Sequence, residues 1–159
     1  EKLAMSGMLK TNPDPGALVI WNLDFKGKVH YFVNAFAAND PKSTLQIWNM
    51  LEHRMVDNST CIFLNTRSDR RYRTNQLMNL VCNEIQPDLF IIRGDDLPKE
   101  LHELVDKHER MEVKLFPEKA SPSQLFEYFA SIESQFIMGI GNIVGWGENF
   151  VSDLKEFRI

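Results

Sequence analysis

Short apolar runs rich in β-branched and aromatic residues recur along the chain, and such runs are typical of buried β-strands. They lie at residues 17–21, 29–32, 60–64, 88–92, 113–116 and 136–138. Between and after these runs, helical spacing of apolar residues predicts helices over residues 42–55, 69–85, 98–107, 122–132 and 148–157. The alternation predicts βαβ units and therefore a Rossmann-like three-layer α/β/α domain with a mostly parallel sheet of about six strands.

The start of the chain differs from this alternation. A helix-like stretch comes first, and the NPDPG segment at residues 12–16 predicts a hinge, because its prolines and glycine exclude continued helix. We therefore expect residues 1–16 to belong to a preceding region and hinge, and residues 17–159 to form the α/β domain. The first two strand-like runs are joined by DFKGK, which favours an antiparallel strand at one edge of the sheet.

Composition narrows the class of protein. With 159 residues, 43% hydrophobic content and 25% charged content, the chain has the profile of one globular domain. Its formal charge of -4 argues against a nucleic-acid partner, which normally selects a clustered basic excess. Two cysteines without the spacing of a zinc site predict a reducing, cytoplasmic setting, and we expect no metal site within the domain.

Ligands of open α/β sheets bind outside the carboxyl ends of the strands, so the loops that follow the predicted strands are the candidate sites. The densest signal is NTRSDRRYRT, where four of the eight arginines fall within seven residues at a strand-to-helix turn. Cations at a helix amino terminus oppose the helix dipole, so Arg67, Arg70 and Arg73 favour a bound carboxylate or phosphate. The alternative is a solvated helix face on which Asp69 forms ion pairs with the arginines.

Two other loops are weaker candidates. In FVNAFAANDPKST, the alanines allow a ligand near the backbone, and Asn39 and Asp40 could contact ribose hydroxyls or a magnesium-bound phosphate. The alternative there is an ordinary cap at the start of the next helix. In GIGNIVGWGENF, closely spaced glycines could cradle a phosphate, with Asn142 and Glu148 as side-chain contacts, or could form a tight turn that packs Trp146 onto the core.

Several catalytic signatures are absent from the sequence. It contains no GxxxxGK[ST] phosphate loop and no nucleophile elbow. The four histidines lie apart along the chain and are interpreted as structural or solvent-facing. We therefore expect this chain alone to be unable to hydrolyse ATP.

Three strings occur in order that resemble a known family: NPDPGAL, HYFVNAFAANDPKSTLQIW and FLNTRSDRRYRT, followed by GIGNIVG. Together they are similar to the carboxy-terminal domain of the CapB/PgsB-type ligase subunit of bacterial poly-γ-glutamate synthases, a relative of the Mur ligases and folylpolyglutamate synthases. The similarity extends from Asn12 to about Gly145 and is weaker between Asp95 and Glu133.

The resemblance implies an ATP-dependent ligase that joins glutamate by amide bonds through an acyl phosphate in capsule biosynthesis. It implies that a preceding domain supplies the phosphate loop and most contacts to ATP and Mg²⁺, and that the full-length protein acts with membrane capsule-synthesis proteins on the cytoplasmic side of the membrane. Glutamate or polymer carboxylates would bind the arginine turn, at Arg67, Asp69, Arg70 and Arg73. The nucleotide would be contacted at Asn34, Asn39, Asp40 and Asn142.

Two other functions remain open at this stage. One is a different Mur-type or folylpolyglutamate-type ligase that accepts another amine. The other is a non-catalytic α/β module that binds an anion or nucleotide at the arginine turn.

Overall fold

A six-stranded sheet forms the centre of the molecule in a computed structural model that describes residues 16–38, 40–55, 58–95, 111–133 and 135–159. The strands are β1 (Val19–Phe25), β2 (Lys28–Asn34), β3 (Ser59–Asn65), β4 (Leu89–Arg93), β5 (Glu112–Phe116) and β6 (Gln135–Gly141). Their order in the sheet is β1-β2-β6-β3-β4-β5. Only β1 runs antiparallel to its neighbour, so the predicted mostly parallel sheet with an antiparallel edge strand is confirmed.

Within the described residues, four α-helices surround the sheet: α1 (Pro41–Leu51), α2 (Arg71–Leu80), α3 (Pro122–Ser131) and α4 (Trp146–Leu154). Shorter helical turns extend three of them. A 3₁₀ turn follows α1 at Glu52–Arg54, another precedes α2 at Ser68–Arg70 and a third follows α4 at Lys155–Phe157, while a π-helical turn continues α2 over Val81–Ile85.

The helices cover both faces of the sheet because the central strands are apolar on both sides. Along β3, Ile62 and Leu64 join the core beneath α1 and α2, whereas Cys61 and Phe63 join the core beneath α3 and α4. Successive strand residues point to opposite faces, so a continuous apolar run supplies two cores at once. The predicted three-layer α/β/α architecture is therefore confirmed.

The hairpin between β1 and β2 turns at Lys26 and Gly27, whose φ angles are 55° and 87°. Two consecutive positive φ values are typical of the tight turns that match the twist of paired strands. The Gly27 amide also donates to Oδ1 of Asp24 at 2.6 Å. The DFKGK segment thus extends β1 four residues beyond the predicted end at residue 21.

Some predictions fall outside the described residues. They are the helix at the start of the chain, the hinge segment before Gly16, and the helix over residues 98–107. Among the helices that the structure describes, none is long and apolar enough to cross a membrane.

Candidate functional site

The adjacent parallel strands β3 and β6 lead into helices on opposite faces of the sheet. Helix α2 follows β3 and packs on one face, whereas α4 follows β6 and packs on the other. The two loops therefore diverge, and this arrangement is the topological switch point at which open α/β sheets bind ligands. A cleft of about 130 Å³ opens there, lined by Phe36, Leu64, Asn65, Thr66, Arg67, Arg70, Arg73, Thr74, Leu77, Gly141, Asn142, Ile143 and Val144.

The arginines of the turn lie in different surroundings. Arg67 is paired with Asp69, with Nε to Oδ1 at 2.7 Å and Nη2 to Oδ2 at 3.0 Å. Arg70 is a looser partner of the same carboxylate at 3.8 Å. Arg73 is half-buried in the cleft and forms no ion pair or hydrogen bond within the described part of the chain. The cleft therefore presents more positive charge than Asp69 neutralises.

The cleft floor joins the loops after β3 and β6. Nδ2 of Asn65 donates to the Asn142 carbonyl at 2.6 Å, and the Asn142 amide donates to the Asn65 carbonyl at 2.8 Å. Gly141, with φ of 96°, allows this contact, because a Cβ at that position would collide with the Asn65 carbonyl oxygen. The glycines after β6 thus permit close packing between two loops.

Helix α4 begins immediately beyond this loop. Its first turn is capped by Glu148, whose Oε2 accepts a hydrogen bond from the Gly145 amide at 3.1 Å. Trp146 stacks on Phe150 with ring centroids 5.1 Å apart, so this indole packs on the core as one of the sequence interpretations proposed.

A buried arginine lies beneath the cleft at the end of β4. Arg93 is 5% exposed, and its Nη1 donates to Oδ1 of Asn65 at 2.9 Å. Its guanidinium also donates to the Glu118 carbonyl and lies 4.0 Å from the centroid of the Trp146 ring. Burial lowers the pKa of Arg93, while the charges of Glu118 and Asp95 oppose that shift.

The predicted nucleotide contacts are spread more widely. Asn142 lines the cleft beside the arginines. Asn34 is buried at the end of β2, and neither it nor Asp40 lines the cleft. Asp40 is exposed and caps α1, since its Oδ1 accepts a hydrogen bond from the Ser43 amide at 3.0 Å, which lowers the pKa of Asp40. Asn39 lies outside the described residues.

Sequence reasoning did not single out Arg93, Thr66 or Thr74. The two threonines line the cleft, and Thr66 bonds to the Arg93 carbonyl through both its amide and its hydroxyl, each at 2.9 Å. A signal for Arg93 was present, because an arginine ends the otherwise apolar strand LFIIR. A charged group at the end of a buried strand requires hydrogen-bond partners. This requirement marks Arg93 as a residue that organises its surroundings.

No group of three or more acidic, histidine or cysteine side chains that could hold a metal ion occurs among the described residues. Both cysteines are buried, and burial raises the pKa of each thiol. Polar chemistry in the described cleft therefore comes from guanidinium, amide and hydroxyl groups.

Comparison with solved structures identifies a similar fold. A crystal structure of MurF from Acinetobacter baumannii superposes with a TM-score of 0.56, covering 95% of this chain and 33% of that chain. At 13% sequence identity, this similarity concerns the fold alone.

Sequence comparisons identify nearer relatives. The chain is 33% identical over 165 residues to PGA synthase CapB of Bacillus subtilis strain 168, covering all of this chain and 41% of that protein. It is 30% identical over 172 residues to the capsule biosynthesis protein CapB of Bacillus anthracis, covering 35% of that protein. The chain thus spans less than half the length of either relative. Residues 20–157 match the model of the poly-gamma-glutamate synthase CapB C-terminal domain, and the chain belongs to that family.

Proposed function

We propose that this chain is the C-terminal domain of an ATP-dependent amide ligase that adds glutamate to poly-γ-glutamate, and that its cleft binds substrate carboxylates. The observation that carries the proposal is the position of Arg73, half-buried in a switch-point cleft with no anionic partner among the described residues. Both the glutamate monomer and the polymer are rich in carboxylates, and an arginine fork matches their geometry.

The reaction that fits this assignment has two steps. A carboxylate oxygen of the acceptor attacks the γ-phosphorus of ATP, which forms an acyl phosphate and releases ADP. The amine of glutamate then attacks the acyl carbon, the C–O bond to phosphate breaks, and the amine loses a proton as the amide forms. Arg70 and Arg73 bind and orient carboxylates in this scheme, and Arg67 contributes when its pair with Asp69 opens.

We assign the phosphate loop and most of the ATP contacts to a preceding domain of the same protein. On the present domain, Asn34, Asn39, Asp40 and Asn142 are the proposed nucleotide contacts. The described residues offer no cluster of carboxylates suited to Mg²⁺, so we assign the ion that accompanies ATP to the preceding domain as well.

The proposed setting is the cytoplasmic side of the membrane, where ATP is available and the polymer can be passed to membrane proteins of capsule synthesis. The names of the two relatives support the link to capsule or polymer synthesis. Those membrane proteins, the preceding domain and the growing polymer are the partners that it requires.

The test is steady-state ADP formation by the full-length protein with glutamate as the variable substrate. Arg73→Ala should raise KM for glutamate by about 10- to 100-fold, because loss of a hydrogen bond to a charged group costs about 1.5 to 3 kcal/mol. Arg70→Ala should also reduce polymer formation while leaving folding nearly intact. A KM that rises for the polymer primer instead of free glutamate would assign the cleft to the chain end.

Arg54→Ala is the matched control, because Arg54 is exposed and follows α1 at the opposite end of the sheet. It should leave KM and the rate unchanged. Wild-type kinetics for Arg73→Ala would overturn the assignment of the cleft. Stimulation of ADP formation by another amino acid, but not by glutamate, would overturn the proposed substrate.

A further inference from the structure

Arg93 connects four segments at the carboxyl edge of the sheet. It ends β4, and its side chain bonds to Asn65 at the end of β3 and to the carbonyl of Glu118 after β5. Nε donates to the Ala120 carbonyl at 3.4 Å, and the same carbonyl accepts a hydrogen bond from Nε1 of Trp146 at 2.8 Å. Trp146, at the start of α4, also contacts the guanidinium plane.

The Arg93 side chain is linked to the cleft through the side chain of Asn65. Asn65 is 1% exposed and has two partners: its Oδ1 accepts from Arg93 at 2.9 Å, and its Nδ2 donates to the Asn142 carbonyl at 2.6 Å. The bond from Arg93 fixes which end of the amide faces the Asn142 loop. With the amide reversed, an oxygen would face the Asn142 carbonyl and the contact would be repulsive.

Arg93 itself does not line the cleft, whereas Asn65 and Asn142 do. Burial of a guanidinium is costly unless its donors are satisfied. Here carbonyl and amide oxygens satisfy them, and no carboxylate lies within ion-pair distance among the described residues. These partners hold the guanidinium of Arg93 beneath the cleft, and the nearby charges of Glu118 and Asp95 partly offset its positive charge.

We propose that Arg93 is a positioning residue: through Asn65 it holds the Asn142 loop against the β3 loop and so fixes the geometry of the carboxylate-binding cleft. The functional part of this inference rests on the proposed function. The structural part concerns the loop of residues 142–145 and can be measured separately.

Two substitutions in the full-length protein test separately the contact from Arg93 to Asn65 and the contact from Asn65 to the Asn142 loop. Arg93→Lys keeps the positive charge but loses the planar fork and most of the contact with Trp146. Asn65→Asp keeps an acceptor for Arg93 and gains an ion pair, but it can no longer donate to the Asn142 carbonyl. Both variants should therefore fold, and Arg54→Lys provides the control at an exposed site away from the cleft.

The first measurement is kcat/KM for glutamate. Both variants should lose about 10- to 100-fold, because displacement of binding groups by about 1 Å has an effect of that size. Combining Arg93→Lys with Asn65→Asp should cost little more than either change alone, since both interrupt the same path from Arg93 to the Asn142 loop. A merely structural role would lower thermal stability without this kinetic coupling. Wild-type kcat/KM in Asn65→Asp, or fully multiplicative losses in the double variant, would overturn the proposal.

The second measurement is hydrogen exchange of the loop, which does not depend on activity. The Asn142 amide, bonded to the Asn65 carbonyl, should exchange faster in Arg93→Lys than in the wild type or Arg54→Lys. Unchanged exchange would overturn the positioning role. If the wild-type protein forms no ADP in response to glutamate, the proposed function fails, and exchange alone decides whether Arg93 positions the loop.

Discussion

Asp69 already occupies the guanidinium fork of Arg67, with N–O distances of 2.7 and 3.0 Å, and Arg70 lies 3.8 Å from the same carboxylate. Asp69 also precedes the first turn of α2, where a negative charge offsets the effect of neighbouring cations on the helix dipole. Under the proposed function, a substrate carboxylate must compete with Asp69 for Arg67, whereas Arg73 has no such competitor among the described side chains. The sequence alone does not distinguish Arg67, Arg70 and Arg73, but in the structure they differ in how readily they could bind another carboxylate.

Asp69→Asn is expected to strengthen glutamate binding by up to about fivefold, because it removes a competing exposed ion pair of about 0.2 to 1 kcal/mol. Calorimetric titration of the full-length protein measures the dissociation constant directly. Arg67→Ala should weaken binding less than Arg73→Ala. Weaker binding in Asp69→Asn would mean that Asp69 orients Arg67 for the substrate.

His30 is a polar residue of the core and lies outside the cleft. It is fully buried, its Nε2 donates to the Phe129 carbonyl at 3.0 Å, and its Nδ1 accepts from the Gln135 amide at 3.2 Å. Accepting that bond requires a neutral ring. Burial lowers the pKa of His30 from 6.5, and the charge of Lys28, which is itself paired with Glu133, lowers it further. His30 is therefore structural, which is one of the two roles that the sequence interpretation gave to the histidines.

The free energy of unfolding should therefore fall as the pH decreases below about 6.5, because the unfolded chain then binds a proton that the folded chain resists. Above pH 6.5 the contribution of His30 is fully present. His30→Gln should flatten this part of the profile, and urea titrations between about pH 5 and 7.5 measure the difference. Parallel profiles for the two proteins would show that His30 does not titrate on unfolding in this range.

The apolar pattern predicts each described strand, from the mostly buried β3, β4 and β6 to the largely exposed β5. It does not distinguish kinds of helix. The helix predicted over residues 69–85 consists of a 3₁₀ turn, α2 and a π-helical turn, and it ends at Gln86 with φ of 50°. Apolar spacing over so few residues is similar in all three, so tertiary packing decides the pitch.

Asp40 caps helix α1, and substitutions of this residue can test whether it also contacts the nucleotide. Asp40→Ala should lower the free energy of unfolding by about 1 kcal/mol because the Ser43 amide loses its acceptor, whereas Asp40→Ser should retain most of the stability. ATP affinity of the full-length protein is the second readout. If the carboxylate contacts the nucleotide, Asp40→Ser weakens ATP binding despite normal stability; equal ATP affinity would limit Asp40 to its cap.

The order of the strands in the sheet determines which loops meet at the cleft. Asn65 and Asn142 are adjacent because β6 inserts between β2 and β3. The sequence predicts that both follow strands, and the carboxyl-end rule selects their loops as candidates. It does not predict strand order, because crossover connections of similar length can reach different neighbours. The pairing of Asn65 with Arg93 could not be predicted for the same reason.

The cleft offers guanidinium and amide groups that can bind carboxylates. The sequence contains no GxxxxGK[ST] phosphate loop that would bind ATP. The chain by itself should therefore bind carboxylates weakly and hydrolyse no ATP in response to glutamate. The measurement is ADP release by the purified chain, with circular dichroism as the control for folding and the full-length protein as the positive control. Activity of the folded chain alone would place the ATP-binding groups within these residues. Activity that appears only with the full-length protein would support a site assembled from two domains, in which this one supplies the carboxylate contacts.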